Sequence, residues 1–200
     1  MADPSVFRRP MTLTLAVGAA VLAAFLPLVP EPYRAFNVAL FGAVGLFAAG
    51  RVGLWPAVAV TLGAKLTSDV MNYAAHGQDA NYLPMWEVVL CFAVYPLCGR
   101  FLRRTENPLA VGGAAVLGSG LFFLVTNFGS WVRQSLPYPY TLDGLVQCYT
   151  EGLPFYRGTF LGDVGGALVL FATHAVLSRV LFPAERVMVP AAIPVTTDRS

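Results

Sequence analysis

MTLTLAVGAAVLAAFLPLV, residues 11–29, is nineteen residues without a single charged side chain. A helix rising 1.5 Å per residue over that length crosses a hydrocarbon core of about 30 Å. Arg8 and Arg9 precede it, as they would a secretory signal. The apolar run exceeds the usual signal core of about 7 to 15 residues, however, and no convincing cleavage site follows, so the stretch reads as a retained membrane helix.

The rest of the chain repeats the pattern. Further apolar runs cover residues 36–50, 55–73, 85–102, 109–128 and 159–182. With 56% hydrophobic residues, 12% charged and a mean hydropathy of +0.64, the chain departs from a soluble domain, which carries about 25% charged residues. The expected fold class is an all-α integral membrane protein, a six-helix transmembrane bundle forming one domain over residues 1–182 with a flexible cytoplasmic tail at 183–200. The second run is short: fifteen residues reach about 23 Å as a helix, so either its ends snorkel or part of it is buried among neighbours. A net charge of +2 gives no case for a nucleic-acid partner. The lipid bilayer is the first partner.

Counting arginines orients the bundle. Arg8, Arg9, Arg51, Arg100, Arg103, Arg104, Arg179, Arg186 and Arg199 fall on the side of the termini, against Arg34, Arg133 and Arg157 on the other. By the positive-inside rule both termini are cytoplasmic, in a bacterial inner membrane. Polar residues then collect toward the outside. Asn37 opens the second span, Asp69, Asn72 and Tyr73 close the third, Glu87 opens the fourth, Asn127 closes the fifth, and Arg157 and Asp163 flank the start of the sixth. Lys65 lies near mid-membrane, one helical turn from Asp69, so the two share a face and can pair with each other or with a solute.

Residues 126–163, TNFGSWVRQSLPYPYTLDGLVQCYTEGLPFYRGTFLGD, hold most of the remaining polar and aromatic side chains. About thirty of them form a long outer loop between the fifth and sixth spans. Thr141 is placed to cap a short amphipathic helix there, which Gly152 and Pro154 would end. Trp131 and Tyr149 join the aromatic belt around this mouth, a setting for either interfacial anchoring or stacking on a flat ligand. His76 and Cys148 are weak candidate metal ligands. Cys91, Cys98 and Cys148 show neither zinc nor disulfide-framework spacing. No nucleophile elbow, HExxH motif or phosphate-binding loop occurs, so no catalytic residue is assigned and the chain cannot drive transport with a nucleotide by itself.

The segments SDVMNY (68–73), TNFGSW (126–131), YPYTLDGLVQCY (138–149) and LPFYRGTFLGD (153–163) resemble a bacterial family of six-helix membrane proteins. That family is similar to the substrate-binding S components of energy-coupling factor (ECF) vitamin transporters. The resemblance implies an outward-facing site for a small solute, a vitamin or a metal-containing ligand such as the cobalamin bound by some solitary members. It also implies small-residue faces, here Ala16 and Ala20 or Ala39 and Ala43, that dock a coupling subunit and its ATPases. In such proteins an outer-loop Cys ligates cobalt, whereas the loop after the third span here offers only His76. The expected function is solute capture and uptake. The alternatives are an intramembrane enzyme and an accessory subunit of a larger complex.

Overall fold

A computed structural model describes residues 9–29, 38–76, 86–134 and 136–187. They form six α-helices: α1 Pro10–Phe25, α2 Phe41–Arg51, α3 Leu54–His76, α4 Trp86–Arg100, α5 Pro108–Val132 and α6 Leu142–Val180. Short 3-10 turns follow α1 at Leu26–Leu28 and α6 at Pro183–Glu185. No strand occurs among the described residues. Three stretches, Pro10–Leu28, Pro108–Val132 and Leu142–Val180, are long and apolar enough to cross a membrane. Val17 and Val21 on α1, Leu117 and Leu124 on α5, and Val169 and Val176 on α6 point outward. A bundle bathed in water would carry polar side chains on those faces.

The short second run resolves in favour of burial. α2 is only eleven residues, about 16 Å long, and every one of them is buried. It is the axis of the bundle, with α1, α3, α4, α5 and α6 all packed against it. Small residues make this possible. A Cβ on Gly45 would lie 3.1 Å from Tyr95 and 3.2 Å from Pro96 and Thr61, and one on Gly50 would lie 3.0 Å from Phe171. Phe47, on the same face as Gly50, meets Phe171 edge to face at 5.4 Å between ring centroids. Non-helical backbone at residues 38–40 leads into α2 inside the protein, which membrane proteins tolerate where neighbours rather than lipid surround it.

Two sequence expectations are corrected here. The outer loop between the last two spans is not about thirty residues: α6 is continuous from Leu142 to Val180, and only residues 133–141 separate it from α5. Thr141 does cap its start, with Oγ1 accepting from the Gly144 N–H at 3.1 Å. Gly152 and Pro154 do not end the helix, because packing against α5 overrides local propensity. Gly152 lies directly against the Asn127 side chain with no space for a Cβ, so the glycine is a contact point rather than a break. The second correction concerns the tail, which does not begin at 183. Pro183–Glu185 folds back and buries Glu185 at the start of α1.

Candidate functional site

The polar centre of the molecule is Asp163. The sequence placed it about a turn into the last span, near the outer mouth. With α6 beginning at Leu142 it lies near the middle of that helix, only 1% exposed. Its Oδ2 accepts a hydrogen bond from the hydroxyl of Tyr95 on α4. Its Oδ1 makes no well-aligned hydrogen bond but lies against Gly42 in the first turn of α2. The backbone N–H groups of Ala43 and Gly42 act on the carboxylate as weaker donors. The open end of the half-length helix is therefore answered by a carboxylate from another helix. That is a capping interaction supplied across the bundle.

The sequence forces this approach through glycine. A Cβ at Gly42 would collide with both Tyr95 and Asp163, and one at Gly118 on α5 would come within 2.8 Å of the Tyr95 ring. Tyr95 stacks on Phe92 with ring planes 25° apart and centroids 6.2 Å apart, and Phe92 in turn meets Phe41 at 5.4 Å and Phe122 at 5.5 Å. Farther toward the start of α6, the Tyr156 hydroxyl lies 3.4 Å from Ser119 Oγ. Beyond it, the Tyr149 hydroxyl donates to the Leu124 carbonyl at 2.8 Å. Tyr149, Tyr156 and Asp163 are spaced by seven residues, two helical turns, and so follow one face of α6. That spacing was present in the sequence and marks the face; Tyr95 had no such signal.

The other sequence candidates scatter. Lys65 pairs with Asp69 on α3, and Asn72 turns its amide onto its own helix, at 2.9 Å from the Ser68 carbonyl. Tyr73 and Arg157 are exposed. Asn127 donates to the Phe123 carbonyl at 2.8 Å, and Trp131 Nε1 donates to the Pro139 carbonyl at 3.0 Å. The Cys148 thiol, buried between α5 and α6, donates to the Asn127 carbonyl at 3.4 Å. Asn127, Trp131, Cys148 and Tyr149 thus knit the C-terminal end of α5 to the first turns of α6 and the segment before it. In the same region the Tyr138 hydroxyl donates to Glu151 at 2.7 Å, and that bond to the carboxylate pushes its phenol up to about 12. Asn37 lies outside the described residues, as do the side chains of Glu87 and His76. Among the described residues no group of three His, Cys, Asp or Glu side chains could hold a metal ion.

The small-residue faces are used internally. Ala16, Ala20 and Ala43 are buried, and the Ala39 carbonyl abuts Gly162. Ala39 is partly buried.

A second polar cluster, missed in the sequence, closes the opposite end of the bundle. Glu185 accepts from the N–H groups of Met11 at 3.0 Å and Thr12 at 2.8 Å, and from the Thr12 hydroxyl at 2.6 Å. Because that hydroxyl has one proton and spends it on Glu185, the 3.1 Å contact between Thr12 Oγ1 and His174 Nε2 makes Nε2 the donor. Burial alone pushes the Glu185 carboxyl up, but these bonds and the nearby His174 outweigh it and hold the group below the usual glutamate range. Beside them Arg51, 4% exposed, donates to the carbonyls of Leu102 at 2.8 Å and Thr105 at 2.9 Å and lies 4.4 Å over the Phe171 ring. Arg179 pairs with Glu106 nearby.

A short, buried helix whose start is held by a carboxylate, inside a bundle with lipid-suited faces, defines a helical membrane protein with an internal polar centre. The chain belongs to the family described as "Family of unknown function (DUF6580)", whose profile matches residues 5–187. Neither the curated proteins nor the solved structures contain a match.

Proposed function

We propose that the protein is a six-span bundle of the bacterial inner membrane, both termini cytoplasmic, that takes up a small solute from the outer side. The observation that supports this is the start of α2, inside the bundle, against Asp163 and Tyr95. Interrupted helices whose ends meet ionisable groups near mid-membrane are the way many carriers build solute and ion sites. A carboxylate placed there is costly and is retained where it works. The rings of Phe41, Phe92 and Phe122, packed in one cluster with Tyr95, suit a flat, vitamin-like organic solute better than a metal complex such as cobalamin. Cys148 is engaged between α5 and α6, and Ala16, Ala20 and Ala43 are buried, so the reading favours a carrier that works without an ECF-type coupling subunit docked on those faces.

Thermal-shift titration in detergent tests it. A panel of vitamins and flat heterocycles is expected to contain at least one ligand that stabilises the wild type, with the effect reduced in Asp163→Asn. At a concentration one hundred times Kd the gain is about 2.7 kcal/mol. Absence of stabilisation across the panel sinks the proposal. It would shift weight to an accessory subunit, a reading favoured by the exposed Leu142, Val146 and Phe155 on the outer part of α6.

A further inference from the structure

A solute carrier without a phosphate-binding loop needs an ion gradient or a partner to drive it, and the Asp163 centre is built to take one particular ion. Resting on the carrier reading above, we infer that Asp163 is a proton-binding site whose occupancy loosens α2 from α6.

The donor set decides the ion. A sodium or divalent ion needs several oxygen acceptors turned toward it. What surrounds this carboxylate is the reverse: the hydroxyl proton of Tyr95 and the amide protons of Gly42 and Ala43. The start of α2 adds a partial positive charge, which favours an anion and opposes a second cation. A proton suits the site because it cancels the carboxylate charge without needing a coordination shell. The neighbouring elements supply few competitors. α4 contributes Tyr95 and Cys91, and α6 contributes Tyr156. α5 brings Ser119, and α2 brings only backbone groups; none of these is a cation. On α3, Lys65 is paired with Asp69.

The chemistry balances simply. The carboxylate gains one proton from hydronium: a carboxyl O–H bond forms, a hydronium O–H bond breaks, and neutral acid and water are left. In the charged form Asp163 holds both the Tyr95 hydroxyl and the open end of α2. Protonation removes the charge that answers the helix end, and Oδ1, which has no well-aligned partner, is the oxygen left to receive the proton. The hydroxyls of Tyr156 and Tyr149 extend the same face of α6 toward the outer end, so the proton and the solute approach from one side.

Infrared difference spectroscopy on the full chain in lipid nanodiscs, titrated from about pH 4 to 9 across the range buried carboxyls reach, reads the carboxylic C=O directly. The wild type is expected to show a protonated-acid band that appears as pH falls and is missing in Asp163→Asn. In Tyr95→Phe the midpoint of that band moves up by about one unit or more, because a hydrogen bond to the charged form is lost. The inference is overturned if no band titrates in the wild type, or if the band persists in Asp163→Asn. Should that variant not fold, an unshifted midpoint in Tyr95→Phe overturns it instead. Solute stabilisation without a titrating acid ends the proton site alone. A titrating Asp163 in a protein that binds no solute ends the carrier reading alone.

Discussion

Gly162 of α6 lies against the carbonyl oxygen of Ala39, so close that a methyl group has no space. This contact brings the non-helical backbone before α2 onto α6 and sets Asp163, the next residue, at the start of α2. Gly162→Ala is therefore expected to lower stability by about 1–3 kcal/mol, the usual cost of overpacking, and to disturb the Tyr95–Asp163 pair. Gly165→Ala, three residues on and facing open space, is the control. It is expected to hold or gain about 0.5–1 kcal/mol from helix propensity. Thermal melts of the two variants in one detergent check the pair, and equal losses would refute the close contact.

Arg51 carries a structural load that lysine cannot share. Its guanidinium spans two carbonyls of the α4–α5 connection while lying over Phe171, a fork that an ammonium does not reproduce. Arg51→Lys is expected to cost about 1–3 kcal/mol through the carbonyls it leaves unpaired. Arg100→Lys, on an exposed side chain of the neighbouring helix end, is expected to change stability by less than about 0.5 kcal/mol.

Glu185 should make the bundle sensitive to acid. Its folded carboxyl titrates below the ordinary range, so its contribution is complete above the unfolded value of about 4.3 and fades as pH falls through the folded one. The stability gap between wild type and Glu185→Gln is expected to be about 1 kcal/mol near neutrality, as for a lost helix cap. It should shrink as pH drops from about 6 to 3, across the glutamate range. A gap that is constant with pH would mean the carboxylate charge plays no part.

Lys65 and Asp69 form an ion pair within one helix, and its worth is measurable by a double-mutant cycle. Lys65→Met or Asp69→Asn alone leaves an uncompensated charge in an apolar bundle. Each single change is expected to destabilise more than the combined one, by at least about 1 kcal/mol. Additive effects would show that the two residues answer to something other than each other.

Membrane character and helix positions were legible because apolar runs of bilayer length have few other uses. The shortness of the second run left snorkelling ends and burial both open, and α2 is buried throughout. What stayed hidden was set by contacts between distant residues. Pro154 looked like a helix end because local propensity says so, while α5 packing carries the helix past it. Arg51 was counted among the charges facing the cytoplasm, although it is buried against carbonyls 51 and 54 residues away. Tyr95 lay unmarked among apolar neighbours, since only the fold brings it to Asp163. Glu185 read as tail because its partners, Met11 and Thr12, lie at the other end of the chain. The seven-residue step from Tyr149 to Tyr156 to Asp163 was the one local clue, and it was masked by splitting α6 into a loop helix and a span.

α6 is thirty-nine residues long, about 58 Å against a hydrocarbon core of about 30 Å. Asp163 and Leu142 belong to the same unbroken helix, with about 32 Å between them. The helix is thus a lever with its fulcrum at the buried carboxylate: a tilt of about 10° at Asp163 swings Leu142 through about 5 Å. A change too small to see around one side chain in the middle of the bundle would be amplified at the N-terminal tip of α6, where a spin label could follow it.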